Sequence, residues 1–271
     1  GMDDWAIINM DDPESVKIME ELNCRYLTYG FSEDADVFPV KKKLSLKGIQ
    51  ATIQTPKGNI VIKSQLIGRV NLSNIMAAVT SAVIKGLPFE TIAEALSLIK
   101  PVKGRLDPAY HGKFSVLVDY AHTDKALEGA LTSLKDLVKG KLIVVFGAGG
   151  ARDMTKRPRM GHVASLHADE VIVTSDNPRD EEPQDIANDI VKGFEPGFKR
   201  YTVELDREEA IRKALNMARE KDLVLIAGKG HEDYQIFKDK TIHFDDFEVV
   251  ENILKESGKK TSKKTVEKKD A

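Results

Sequence analysis

Residues 142–150 read Leu-Ile-Val-Val-Phe-Gly-Ala-Gly-Gly, an apolar run followed at once by a glycine-rich turn. Consecutive apolar residues without polar alternation predict a strand that is buried on both faces. Strands of this kind are typical of parallel sheets, because crossover helices cover both faces of such sheets. The stretch therefore predicts an α/β fold, with a turn whose backbone N–H groups can approach an anion.

Similar apolar runs occur on both sides of this stretch and alternate with helical patterns. The predicted strands are 114–118, 142–146, 170–173, 201–203 and 223–226. The predicted helices are 125–138, 159–167, 184–193 and 206–220. This alternation indicates a Rossmann-like, mostly parallel sheet with helices on both faces. Ligands of such sheets bind beyond the carboxyl ends of the strands, and every distinctive polar motif of this half follows a predicted strand.

The first hundred residues have a different pattern. Residues 44–49 and 51–55 alternate as strands do, and a turn at 57–59 precedes the apolar residues 60–62, which predicts a β-hairpin. The predicted strand and helices around it are 6–9, 14–22, 71–85 and 88–99. Pro101 and Gly104 then indicate a linker. We therefore expect domains at 1–102 and 103–257, followed by a tail at 258–271.

The composition restricts the class of protein. The 271 residues are 41% hydrophobic and 31% charged, which is typical of a globular chain of about two domains. The formal net charge of −2 argues against a surface made for nucleic acid or anionic membranes. The single cysteine, Cys24, excludes an internal disulfide, and no apolar run approaches the ~20 residues of a membrane span. The acidic N-terminus is unlike a signal peptide, so we expect a cytoplasmic protein.

The C-terminal tail carries six lysines without apolar periodicity. This composition predicts a disordered basic tail, and an arm that binds nucleic acid or lipid is the alternative.

The glycine-rich turn is followed by Arg152, Lys156 and Arg157. Three cations so close together favour anion recognition over an ordinary turn. A dinucleotide-binding fingerprint would need a third glycine where Arg152 stands, so a nucleotide-dependent oxidoreductase domain is only an alternative. Another strand end carries Asp119 and His122, which suit a sugar hydroxyl and a phosphate, although capping of the next helix explains them equally well.

Two further strand ends offer charges of both signs. Asp176 can bind an ammonium group and Arg179 can bind a carboxylate through two parallel hydrogen bonds. Glu232, after the last strand, supplies a second acidic group. The loops therefore suit a zwitterion such as an amino acid, while local ion pairs on a surface turn are the alternative. No set of histidines has metal-ligand spacing.

Together these motifs resemble the MurE-type Mur ligases, from about Trp5 to Glu256. The resemblance rests on Asp119-Tyr120-Ala121-His122-Thr123, Gly-Gly-x-Arg-Asp-x-x-Lys-Arg-Pro at 149–158, Asp-Asn-Pro-Arg at 176–179 and Gly-Lys-Gly-His-Glu at 228–232. Residues 68–74 resemble the segment of that family whose asparagines approach adenine, and Gly104-Arg105 resembles its inter-domain junction.

The resemblance implies a role for each matching residue. The implied nucleotide contacts are Asn71, Asn74, Arg105, Asp119 and His122, with Arg105 and His122 as the catalytic pair. The implied amino-acid contacts are Arg152, Asp176, Asn177, Arg179, Gly228 and Glu232, and we add Lys156 from the cationic turn. In this family Asp-Asn-Pro-Arg marks enzymes for meso-diaminopimelate. The distal carboxylate of meso-diaminopimelate would pair with Arg152 and Arg179. The amino acid lysine has no such carboxylate and would leave both arginines unpaired.

Two positions depart from the family pattern: Asp124 replaces the usual proline, and Ala151 the usual aspartate. The chain also has no Gly-Lys-Thr string. The P-loop, the magnesium ligands and the UDP-binding domain of the family would therefore lie upstream, in a missing N-terminal half.

The resemblance implies peptidoglycan biosynthesis, and so a place in cell wall biogenesis and cell division. The reaction is ADP-forming addition of meso-2,6-diaminopimelate to UDP-N-acetylmuramoyl-L-alanyl-D-glutamate through an acyl phosphate, with ATP and Mg²⁺ in the full-length enzyme. We expect this chain to be the amino-acid-selecting half, which binds neither cofactor tightly and is inactive alone. A catalytically inactive amino-acid-binding module is the alternative.

Overall fold

A computed structural model describes residues 4–258 of the chain. The chain divides into two compact units, Gly1–Pro101 and Val102–Ala271. The predicted basic tail lies outside the described residues, apart from Gly258. No helix between residues 4 and 258 has the length and apolar character that crossing a membrane requires.

The first unit contains a two-stranded parallel sheet, a three-stranded antiparallel sheet and three helices. Its elements are β1 (Trp5–Asn9), α1 (Glu14–Glu21), β2 (Arg25–Tyr29), β3 (Phe38–Ser45), β4 (Gly48–Thr55), β5 (Gly58–Ser64), α2 (Gly68–Ile84) and α3 (Phe89–Leu98). Leu72, Met76 and Val79 of α2 are buried in one cluster with Ile53 and Ile62 of the three-stranded sheet. Burial of these apolar side chains holds the helix on the sheet.

The hairpin predicted around residues 57–59 is confirmed, because β4 pairs antiparallel with β5. The strand predicted across 44–49 is wrong. The chain reverses there between β3 and β4, where Ser45 Oγ accepts a hydrogen bond from Lys47 N at 3.2 Å and donates one to Gly48 O at 3.1 Å. Alternation alone does not distinguish a continuous strand from two strands that meet at a polar turn.

The second unit is built around a six-stranded sheet. Its elements are β6 (Asp107–His111), β7 (Ser115–Asp119), α4 (Asp124–Lys135), β8 (Leu142–Phe146), α5 (Lys156–His167), β9 (Glu170–Val173), α6 (Pro183–Val191), β10 (Tyr201–Val203), α7 (Arg207–Met217), β11 (Leu223–Ala227), β12 (Tyr234–Ile236), β13 (Thr241–His243) and α8 (Asp246–Glu256). The sheet order is β10-β9-β8-β11-β7-β6, in which only the β6–β7 pair is antiparallel. This arrangement confirms the predicted α/β class. Because β11 returns between β8 and β7, the loops after these strands meet at one edge.

Three strands of this unit were absent from the sequence prediction. The short hairpin β12–β13 has three residues in each strand, and β6 is an edge strand that contains Pro108. Neither has the apolar run that identified the central strands. Helix α8 was missed as well, although Asp245 caps it by accepting hydrogen bonds from the backbone N–H groups of Phe247 and Glu248.

A buried ion pair joins two helices to two strand ends. Arg207, at the start of α7, and Asp246, at the start of α8, are both fully buried. Nε and one terminal nitrogen of Arg207 donate to the two oxygens of Asp246 at 2.8 Å each. The guanidinium also donates to Ala227 O at 3.1 Å and Ser175 O at 3.4 Å. Burial disfavours the charged form of Arg207, but the Asp246 carboxylate outweighs it and raises the Arg207 pKa.

A second buried arginine ties the turn after β8 to the loop after β9. Arg157 is fully buried and pairs with Glu181 at 2.8 Å and with Asp189 at 3.2 Å. Glu181 Oε1 also accepts a hydrogen bond from Ala151 N at 2.6 Å. The hydrogen bond from Ala151 N lowers the pKa of Glu181 most, and the hydrogen bond from Arg157 lowers it further. Arg157 is therefore committed to these carboxylates, and the sequence interpretation that grouped it with the anion-binding cations is wrong.

We expect Arg207→Met to lower the free energy of unfolding by about 3–5 kcal/mol, because it leaves the Asp246 carboxylate buried without a partner. Urea denaturation at pH 7 measures this loss. Arg212→Met is the control in the same helix, since the ion pairs of Arg212 with Glu208, Glu209 and Glu256 are partly exposed and contribute less than a buried pair. Equal losses of unfolding free energy in Arg207→Met and Arg212→Met would contradict a special role for the buried pair.

We expect Glu181→Gln to destabilise the protein at pH 7 and to flatten the pH dependence of its stability. A lowered pKa in the folded state gives stability that is present above the ordinary pKa and is lost as the pH falls through the folded value. The difference between wild type and variant should therefore shrink below about pH 4.5. Urea denaturation from pH 7 to pH 3 follows it, with exposed Glu220→Gln as control. A difference that stays constant over this range would refute the prediction.

Candidate functional site

The predicted site residues of the second unit lie around the carboxyl edge of its sheet. Nine of them lie at the end of β7, at the start of α5 or in the loops that follow β7, β8, β9 and β11, and the segment before β6 contributes Arg105. The nine are Asp119, His122, Arg152, Lys156, Asp176, Asn177, Arg179, Gly228 and Glu232. The predicted convergence of these loops is thus present in the fold.

The two remaining predicted residues, Asn71 and Asn74, lie on α2 of the first unit. Asn71 Nδ2 donates to Ile67 O at 2.8 Å and so binds a backbone carbonyl at the start of the helix. Asn74 is exposed. Residues three positions apart share one face of a helix, so both amides are on the same side of α2. Their role as adenine contacts stays a prediction.

Asp119 is buried at the end of β7 and is occupied by backbone donors. Its Oδ2 accepts from Leu106 N at 2.7 Å and its Oδ1 accepts from Ala121 N at 2.8 Å. Burial raises the Asp119 pKa, although both hydrogen bonds oppose this. Leu106 has a φ of +44°, which is unfavourable for a side chain with a Cβ, and the hydrogen bond to Asp119 stabilises it there. A nucleotide contact by Asp119 stays a prediction.

Tyr120 stands at the centre of the site, although the sequence reading assigned it no role. Its ring centroid is 4.6 Å from that of His122, 5.0 Å from that of His231 and 4.9 Å from the guanidinium of Arg105. Its hydroxyl donates to Glu232 Oε1 at 3.4 Å. Burial, followed by the Glu232 charge, raises the Tyr120 pKa. One aromatic ring therefore links both predicted catalytic residues to a predicted amino-acid contact.

The segment before β6 packs directly on the loop after β11. A Cβ on Gly104 would lie 2.3 Å from the carbonyl carbon of Gly230, and the φ of Gly104 is +72°. Only glycine allows this approach of two backbones. Arg105 is thereby placed beside the loop that carries Glu232.

Lys156 connects the turn after β8 to the loop after β7. Its Nζ donates to His122 O at 2.8 Å. Burial lowers the Lys156 pKa, and the charge of Asp176 acts in the opposite direction. Lys156 and the Asp176 carboxylate are thus close enough to interact at the carboxyl edge of the sheet.

Asp176 carries the carboxylate that is most available to a ligand. The residue is only 7% exposed, yet its carboxylate forms no hydrogen bond or ion pair with any residue between 4 and 258. A Cβ on Gly228 would lie 2.6 Å from Asp176 Oδ2, so glycine at 228 leaves this oxygen uncovered. A buried carboxylate without a partner is costly, which makes it a strong acceptor for a cation.

Asn177 and Glu232 are held together by Lys229. Asn177 Nδ2 donates to Glu232 Oε2 at 3.0 Å, and Asn177 Oδ1 accepts from Ile236 N at 3.0 Å. Lys229 is fully buried, and its Nζ lies 3.3 Å from both Asn177 Oδ1 and Glu232 Oε2. Sequence reasoning missed this lysine, because a lysine between two glycines gives no signal of burial.

Arg152 and Arg179 both lie beside Gly149 of the glycine-rich turn. A Cβ on Gly149 would be 3.0 Å from a terminal nitrogen of Arg179 and 3.8 Å from Cγ of Arg152. Arg179 donates to Gly150 O at 2.8 Å, and Arg152 to Ala151 O at 3.4 Å. Within the described part of the chain neither guanidinium has a carboxylate partner. Each has five N–H donors, so most remain available to a bound anion.

The two departures from the family pattern have local explanations. Asp124 is the first residue of α4, a position where proline and acidic residues are both favourable, and it pairs with Arg159 at 2.9 Å. Ala151 has a φ of +50°, which aspartate adopts more readily than alanine. The hydrogen bond from its N–H to Glu181 offsets part of this cost.

The described residues offer no metal site. Residues 4–258 contain no group of three or more His, Cys, Asp or Glu side chains that could hold a metal ion. We therefore assign no Mg²⁺ ligand among these residues.

Comparison with known proteins gives two family matches. The Mur ligase middle domain matches residues 1–82, and the Mur ligase, glutamate ligase domain matches residues 104–230. UDP-N-acetylmuramoyl-L-alanyl-D-glutamate–2,6-diaminopimelate ligases are similar over almost the whole chain. That of Bacillus velezensis is 44% identical over 94% of this chain and 52% of its own length. That of Geobacillus kaustophilus is 42% identical over 94% and 52%.

A solved structure of a ligase with that name is 33% identical, with a TM-score of 0.67 over 94% of this chain and 53% of its own length. A Mycobacterium tuberculosis folylpolyglutamate synthase, at 17% identity and a TM-score of 0.66 over 83% of this chain and 52% of its own, shares the fold. The chain spans about half the length of the curated relatives that it matches. The two domain matches together cover most of the chain, and the chain belongs to the Mur ligase family.

Proposed function

We propose that this chain is the amino-acid-selecting half of an ATP- and Mg²⁺-dependent ligase. The ligase adds meso-2,6-diaminopimelate to UDP-N-acetylmuramoyl-L-alanyl-D-glutamate in peptidoglycan biosynthesis, and its need for ATP implies a cytoplasmic location. The observation that carries the proposal is the charge pattern of the strand-end loops. Arg152 and Arg179 lack a carboxylate partner among the described residues, and Asp176 lacks a cationic one. The names of the relatives agree with this substrate.

The charge pattern matches the distal end of meso-diaminopimelate, which carries a carboxylate and an ammonium on one carbon. The two guanidinium groups suit the carboxylate, because arginine binds it through two parallel hydrogen bonds. Asp176 suits the ammonium. Lysine has the distal ammonium but no distal carboxylate, so it would leave both arginines unpaired.

The contribution of this unit to the reaction is positioning. Residues fixed on a rigid sheet edge hold the attacking amine in one orientation, which replaces a random encounter by an oriented one. ATP supplies the activation of the peptide carboxylate when it is bound. We assign Arg105 and His122 to the nucleotide side, since both pack on Tyr120. Asn71, Asn74 and Asp119 are the further proposed nucleotide contacts.

Calorimetry with the two amino acids tests the selectivity. We expect the chain to bind meso-diaminopimelate at least about tenfold more tightly than lysine, which corresponds to one charge-assisted hydrogen-bonded contact. Arg179→Met should remove this preference. Asp176→Asn should weaken the binding of both amino acids, because both carry the distal ammonium.

Arg200→Met is the control for these variants, because Arg200 binds Asp169 O at the opposite end of the sheet. It should leave both affinities unchanged. Equal binding of the two amino acids by the unaltered chain would refute the proposed selectivity.

Reconstitution tests the activity. We expect the chain alone to release no ADP, and to support diaminopimelate-dependent ADP release when it is combined with a polypeptide that carries the ATP-binding part of a relative. His122→Ala should lower the reconstituted rate at least about tenfold without changing the affinity for diaminopimelate. Failure of every such combination, with diaminopimelate still bound, would favour an inactive amino-acid-binding module.

A further inference from the structure

Lys229 is a fully buried lysine that no part of the proposed mechanism uses. Its Nζ lies 3.3 Å from Glu232 Oε2, 3.3 Å from Asn177 Oδ1 and 5.4 Å from the ring centroid of Tyr234. Burial of an ammonium group is unfavourable unless partners compensate for the lost water. Its partners here are two residues of the amino-acid site, so its burial is coupled to the geometry of that site.

We propose that Lys229 is a positioning residue for amino-acid recognition, which fixes the Glu232 carboxylate and the Asn177 amide without contacting the ligand. The inference rests on the proposed function, since it concerns the same site.

The hydrogen bonds around Glu232 define how Lys229 acts. Oε1 accepts from the Tyr120 hydroxyl, while Oε2 accepts from Asn177 Nδ2 and from Lys229. Asn177 Oδ1 in turn accepts from Lys229 and from Ile236 N. The amide of Asn177 can therefore not rotate without losing several of these contacts. Lys229 thus selects one orientation of both side chains.

Lys229 also changes the electrostatic roles of the two acidic residues. The charge of Glu232 is compensated by a lysine at 3.3 Å, whereas Asp176 has no such partner among the described residues. Asp176 is then the principal partner for a ligand ammonium, and Glu232 acts through the direction of its oxygens. Sequence alone treats the two carboxylates as equivalent.

A double-mutant cycle on the affinity for meso-diaminopimelate tests this assignment. Lys229→Met keeps the length of the side chain and removes the ammonium, and we expect it to weaken binding about tenfold. Glu232→Gln should have a similar effect. The double variant should bind meso-diaminopimelate about tenfold more weakly than the unaltered chain, and not about a hundredfold, because both changes disrupt the same contact.

The matched control combines Lys229→Met with Asp176→Asn. These changes act on separate contacts, so their effects should multiply. If Lys229 had a merely structural role, its effect on the affinity would multiply with that of Glu232→Gln as well as with that of Asp176→Asn. That outcome overturns the proposal. Absence of diaminopimelate binding by the unaltered chain would instead overturn the proposed function.

Urea denaturation and circular dichroism show whether each variant is folded. Lys229→Gln keeps a hydrogen-bond donor. It replaces Lys229→Met in the double-mutant cycle if Lys229→Met does not fold. We expect Lys229→Gln to retain more affinity than Lys229→Met, because a donor toward Glu232 remains. Equal affinities of these two folded variants would show that packing, and not the donor, is what matters.

Discussion

The geometry of the candidate site depends on the buried pair of Arg207 and Asp246. The pair is bidentate, and the remaining donors of the arginine reach Ser175 O and Ala227 O. Those residues directly precede Asp176 and Gly228, which meet in the site. A buried ion pair need not add net stability, because the loss of water around both charges offsets their attraction. Its effect here is to fix two strand ends, from two helices, relative to each other.

Four arginines of this unit form two pairs with different roles. Arg157 and Arg207 are fully buried and pair with carboxylates of neighbouring elements, so they hold loops in place. Arg152 and Arg179 lie at the glycine-rich turn and bind only backbone carbonyls within the described residues. Arg157 supports the turn that carries Arg152, since Glu181 binds both Arg157 and the N–H of Ala151.

The sequence predicts the sheet well for a physical reason. Central parallel strands are continuous apolar runs, so residues 142–146 coincide with β8, and strand-end motifs then locate the edge where ligands bind. It does not predict β6, an edge strand that lacks an apolar run, or the β12–β13 hairpin, whose strands have three residues each. Nor does it predict that Lys229 is buried, since this depends on Asn177, which is 52 positions away. Contacts between distant polar residues leave no local pattern.

The same limit explains why charge alone gives an incomplete reading of the site. Asp176 and Glu232 have equal formal charges and both follow a strand, so the sequence makes each a partner for an ammonium group. In the fold, Lys229 and Asn177 occupy Glu232 Oε2, and Tyr120 occupies Oε1. Among residues 4–258, Asp176 has no such partner for its carboxylate oxygens, and a glycine at 228 leaves one of them uncovered. The uncompensated negative charge of this edge is therefore concentrated at Asp176, while Glu232 is already paired with Lys229.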